Sequence, residues 1–200
     1  MIMLIGITGG IGSGKSVTSK ELRCMGYDVY DTDSEAKRLI VEDAQVRQQI
    51  EELFGKEVYK DGVYQTHIVA DKVFADQSLL VRLNAIVHPA VKADILRWAQ
   101  TLTTPLSLKG GRDRRPLFLE CAILYTAHLD DICDKVVAVT APEIIRLERV
   151  INRDRSDEAK VLARMRAQEV EIDLRRADII INNDGNTPIP VLCKELLAQI

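Results

Sequence analysis

The sequence predicts an α/β fold, a parallel sheet flanked by helices, and three observations carry that prediction. Apolar runs of strand length alternate with helical patterns along the 200 residues. Four of the runs are continuous, as expected of strands buried on both faces, and a fifth, shorter one alternates. The first of them, Ile2-Met3-Leu4-Ile5-Gly6-Ile7, leads into Gly9-Gly10-Ile11-Gly12-Ser13-Gly14-Lys15-Ser16, which fits G-x-x-x-x-G-K-[S/T] and precedes a helix-competent segment. Strand, glycine-rich turn and helix in that order specify a P-loop NTPase-type sheet.

Taken in order, buried strands are expected at about 2–7, 116–124, 135–139 and 178–182, with a shorter one at Tyr27-Asp28-Val29-Tyr30. Helices are expected at about 15–25, 34–54, 78–103, 142–153, 157–169 and 187–199. Two stretches interrupt the alternation and suggest a core of about 1–33, 106–141 and 177–200 within a single domain. Residues from about 34 to 105 form a mainly helical insertion suited to substrate binding, and about 142–176 form an arginine-rich lid. His88-Pro89 falls inside a helical pattern, where proline forces a kink or a fresh start.

Composition narrows the class. Hydrophobic residues at 46% and charged residues at 28% suit an ordinary globular protein. A net charge of −3 argues against broad nucleic-acid binding, and no apolar run reaches the length of a membrane span. Cys24, Cys121, Cys133 and Cys193 form no C-x-x-C pair and read as reduced thiols of a cytoplasmic protein. The apolar N-terminus is broken by glycines and lacks a basic leader, so it reads as a strand rather than a signal peptide.

The loop also defines the expected chemistry. Its glycines let successive N–H groups converge on one anion, and the helix N-terminus adds partial positive charge. Lys15 is expected on the β- and γ-phosphates of a nucleoside triphosphate, and the Ser16 hydroxyl on Mg²⁺. Asp31 and Asp33 follow the second strand; Asp33 can take a proton from an attacking hydroxyl or cap the helix that begins at Ser34. Glu120 ends an apolar run in the manner of a Walker-B acid, although short runs ending in an acid are common. Arg146, Arg149 and Arg153 share one helical face, with Arg155, Arg164 and Arg166 close behind. Converging guanidinium groups stabilise a transferring phosphoryl group, while the same residues can equally form a solvated face. The basic loop Lys109–Arg115 reads as a solvated connection. A D-x-x-G switch and an N-K-x-D motif, expected of GTPases, are not apparent.

Together these motifs resemble the dephospho-CoA kinase family, and the resemblance runs through nearly the whole chain. It comprises Gly6 to Ser16, Asp31-Thr32-Asp33 at a D-x-D position, His88-Pro89, and Arg149 with Arg153-Asp154. Arg164 and Gln168 follow, and Ala177 to Gly185 matches a closing A-D-x-x-I-x-N-x-G segment. The resemblance implies ATP- and Mg²⁺-dependent phosphorylation of the ribose 3′-hydroxyl of dephospho-CoA, the last step of coenzyme A synthesis. It implies Asp33 as the base, with Lys15 and Arg149 beside it as catalytic residues. It implies nucleotide contacts at Gly10, Ile11, Gly12, Ser13, Gly14, Lys15, Ser16, Val17, Arg149, Arg153 and Asn183, and substrate contacts at Thr8, Asp33 and His88. One segment departs from the family. Where P-L-L-F-E is usual, this chain has Ala122-Ile123-Leu124-Tyr125-Thr126, with Thr126 in place of an acid. The rival register on Pro116-Leu117-Phe118-Leu119-Glu120 lengthens the path to Lys135 by six residues. Rival functions are a nucleoside monophosphate kinase or another small-molecule kinase, and a nucleotide-switched regulatory module.

Overall fold

The computed structural model describes residues 3–103, 115–169 and 173–200. The basic loop expected between Lys109 and Arg115 therefore lies, up to Arg114, outside the described residues, as do positions 170–172 of the arginine-rich stretch. The chain divides into two compact units, residues 1–31 with 108–200, and residues 32–107.

The first unit is built on a five-stranded sheet. Strands β1 (Leu4–Thr8), β2 (Val29–Asp31), β5 (Leu117–Glu120), β6 (Lys135–Thr140) and β7 (Ile179–Asn182) lie in the order β2-β5-β1-β6-β7. Every neighbouring pair is parallel. Helices α1 (Lys15–Cys24) and α8 (Ile189–Leu197) pack together, and Leu22, Leu192, Cys193 and Leu196 close over Ile5, Ile7, Phe118 and Val137. Burying one such side chain stabilises the fold by about 1.5–3 kcal/mol relative to exposure. Helices α6 (Glu143–Asp154) and α7 (Glu158–Glu169) pair around a smaller cluster of Leu147, Val150, Val161 and Met165. Thr140 pairs with Asn182 across the sheet, so β6 and β7 finish level and beside the end of β1.

The second unit holds α2 (Thr32–Glu42), α3 (Ala44–Phe54), α4 (Thr66–Ala75) and α5 (Ser78–Thr103), with a small hairpin of β3 (Tyr59–Lys60) and β4 (Val63–Tyr64). Arg38 bridges from α2 to Asp94 of α5 at 2.8 Å.

Two of the expected elements end differently in the structure. The helix expected across 34–54 is two helices, because the Asp43 carboxylate accepts from the Gln45 and Val46 N–H groups at 2.9 and 3.0 Å and caps a new start. The strand expected across 116–124 stops at Glu120; Cys121, Leu124, Tyr125, Ala127 and Leu129 are buried through a run of turns instead. Continuous apolarity reports burial and does not by itself separate a strand from a buried turn. Helix α5 spans the expected 78–103 with Pro89 inside it, and the proline leaves the Ala85 carbonyl without its intrahelical donor. Among the described residues, no helix is long and apolar enough to cross a membrane.

Candidate active site

The site is built where β1 ends. From Thr8 the chain turns through Gly9–Gly14 and enters α1 at Lys15. Gly12 and Gly14 have φ of 79° and 96°, a conformation that side-chain-bearing residues rarely adopt. Space requires glycine there as well. A Cβ at Gly12 would lie 2.4 Å from the Arg146 carbonyl oxygen, and one at Gly14 would lie 2.0 Å from Asn183 Nδ2. No side chain caps the N-terminus of α1, and its first turn carries no acidic residue. Its positive dipole end therefore faces the loop without a side-chain cap, the arrangement that takes an anion.

Lys15 and Ser16 meet one acid. Glu120, the last residue of β5, accepts from Lys15 Nζ at 2.8 Å and from the Ser16 hydroxyl at 2.6 Å through the same Oε1. Register explains the meeting, since Ile7 of β1 and Asp31 of β2 flank Glu120 across the sheet. Burial pushes the Glu120 carboxyl up, but the Lys15 charge and the two hydrogen bonds outweigh it and hold the group below the usual carboxylate range. A hydroxyl and a carboxylate at this spacing supply hard oxygen donors of the kind Mg²⁺ takes alongside phosphate and water.

The outer side of the loop is fastened by side chains from farther along the chain. Asn183, buried at the end of β7, donates from Nδ2 to the Ser13 carbonyl at 2.8 Å. Arg149 of α6 approaches the Gly12 and Ser13 carbonyls at 3.4 and 3.5 Å and Asn183 Oδ1 at 3.4 Å. The Ile11 N–H donates to Gln168 Oε1 of α7 at 2.7 Å.

The arginines of the cluster have different partners. Arg149 is on the loop, and Arg146 meets it through its main chain at Gly12. Arg153 and Arg164 both reach Asp154, at 2.7 and 3.1 Å, and together hold that carboxyl down at about 2. Of the remaining expected contacts, Val17 is exposed on α1, whereas Thr8 and Ser13 are fully buried. Asp33 belongs to the second unit, in the first turn of α2 rather than at its cap, because the helix begins at Thr32. His88 lies in α5 immediately before Pro89. Thr126 is exposed in the turn after β5. The sequence reading offers Glu120 as a Walker-B-like acid but leaves it open; the strand order that sets β5 beside β1 brings it to Lys15 and Ser16. Gln168 enters the sequence reading only as part of the family resemblance, with no role attached to it.

Residues 3–188 match the family model described as dephospho-CoA kinase. This chain belongs to the dephospho-CoA kinase family. A dephospho-CoA kinase of Porphyromonas gingivalis is 39% identical over 88% of this chain and 82% of its own length. The crystal structure of TT1252 from Thermus thermophilus superposes with a TM-score of 0.79 at 32% identity, covering 100% of this chain and 98% of that one. A dephospho-CoA kinase structure from Campylobacter jejuni shares the fold, with a TM-score of 0.69 at 22% identity over 98% and 96% of the two chains. Family membership makes the chain a phosphotransferase on a P-loop kinase fold.

Proposed function

We propose that the chain transfers the γ-phosphoryl group of ATP to the ribose 3′-hydroxyl of dephospho-CoA, giving coenzyme A and ADP. The observation that carries this reading is the uncapped glycine loop with Lys15 and Ser16 gathered on Glu120, in a chain whose residues 3–188 match this family. The loop N–H groups and the α1 N-terminus hold the phosphates. Lys15 has three donors, so it can grip a phosphate oxygen while keeping Glu120. Ser16 and Glu120 would hold Mg²⁺, which when bound neutralises charge on the phosphate oxygens.

Asp33 is the base of this proposal. It stands two residues beyond β2 at the second aspartate of the D-x-D motif. It takes the 3′-hydroxyl proton as that oxygen bonds to the γ-phosphorus. The bond from phosphorus to the bridging oxygen breaks, and its electron pair leaves with ADP. Arg149 and Arg153 supply positive charge to the equatorial oxygens, and Asn183 holds the loop beneath the nucleotide. Thr8 and His88 belong to substrate binding in the same reading, in a cytoplasmic enzyme. The test is ADP release from Mg-ATP with dephospho-CoA beside AMP, CMP and shikimate. Turnover with dephospho-CoA alone is the expected result; preference for another acceptor overturns the substrate assignment.

A further inference from the structure

Ile11, the third residue of the phosphate loop, is held twice by the helix pair α6–α7. Its side chain packs against Leu147, Val150, Val161 and Met165, the cluster between those helices. Its main-chain N–H donates to Gln168 Oε1 at 2.7 Å, from the last turn of α7. The loop's other outer bonds run through carbonyls, to Asn183 and Arg149. The Ile11 N–H is thus committed to a side-chain amide 157 positions away in sequence rather than turned to a ligand. A loop containing Gly9, Gly10, Gly12 and Gly14 has a large backbone entropy to lose, and a fixed amide on its third residue restricts it before any ligand arrives.

We propose that Gln168 is a positioning residue that latches the phosphate loop to α6–α7, so that Arg149 and the loop carbonyls beneath it keep their register during phosphoryl transfer. Gln168 touches no reacting atom; it acts through Ile11 and, through the packing of α6 on α7, through Arg149. The proposal rests on the reading of this loop as the ATP phosphate site.

Gln168→Met removes the acceptor while keeping side-chain length and helix propensity, and Gln168→Glu keeps an acceptor oxygen. Amide exchange of Ile11 in the nucleotide-free protein is the direct readout. The Ser13 N–H, bonded to the Gly10 carbonyl at 3.0 Å, is the internal reference. In Gln168→Met, Ile11 exchange rises about fivefold and kcat falls about fivefold, the equivalent of one ordinary hydrogen bond. KM for ATP stays at its wild-type value, the melting temperature falls by no more than about 2–4 °C, and Gln168→Glu restores slow exchange at Ile11, kcat and the melting temperature. Unchanged Ile11 exchange, unchanged kcat, or a matching loss of kcat and melting temperature that Gln168→Glu does not rescue overturns the latch. The exchange arm needs no substrate. A wild-type chain inert toward dephospho-CoA would sink the acceptor assignment while Ile11 exchange still decides the latch.

Discussion

Glu120 holds the loop's two chemistry-bearing side chains, and the sign of its pH dependence follows from its pairing. The native carboxyl lies below its ordinary value, so the pair stabilises the fold above about pH 4.3 and that contribution is lost as pH falls through the native value. Glu120→Gln leaves the Lys15 ammonium, 12% exposed, without its counter-charge. We expect a loss of about 1–3 kcal/mol at pH 7 in urea unfolding, shrinking toward zero in acid. Equal stability of the two proteins at neutral pH would show that the pair contributes nothing. Asp33 makes a different demand. Asp33→Asn should cut kcat by about two to four orders of magnitude and leave ATP affinity almost unchanged, because general-base loss acts on chemistry and not on phosphate binding. Full turnover in that variant would reject Asp33 as the base.

Element boundaries follow local chemistry that hydrophobic periodicity does not report. Asp43 divides what reads as one long helix, since its carboxylate satisfies two N–H groups that a continuous helix would have bonded internally. Asp43→Ala should therefore cost about 1 kcal/mol in thermal or denaturant unfolding. ATP turnover at saturation should not change; a wild-type melting temperature would show that α3 starts without the cap. The turn after β5 was misread as strand because its side chains are as buried as those of the sheet. Pro89 shows the opposite imbalance, with α5 continuing on either side of one lost backbone bond. The phosphate loop was legible at full length, because glycine at positions of positive φ leaves a mark in sequence that buried turns do not.

At the scale of the whole molecule, alternating buried strands and helices specified the parallel sheet, and the structure adds its order, β2-β5-β1-β6-β7. That order is what the sequence reading lacked for Glu120. An acid at the end of an apolar run has no visible partner until β5 is known to lie beside β1. Gln168 stands in the family resemblance, but its role is hidden for a similar reason, because its partner is a main-chain N–H rather than a side chain. The loop itself is common to kinases, switches and motor ATPases, so the fold does not choose the acceptor. Family membership narrows that choice, and the reaction at the 3′-hydroxyl is the central claim that remains to be measured. The most direct measurement is phosphorus NMR of the products formed from Mg-ATP and dephospho-CoA. The account predicts one new phosphomonoester on the ribose 3′-oxygen for each ADP released. Release of inorganic phosphate without that signal, or a phosphomonoester at any other position, would contradict it.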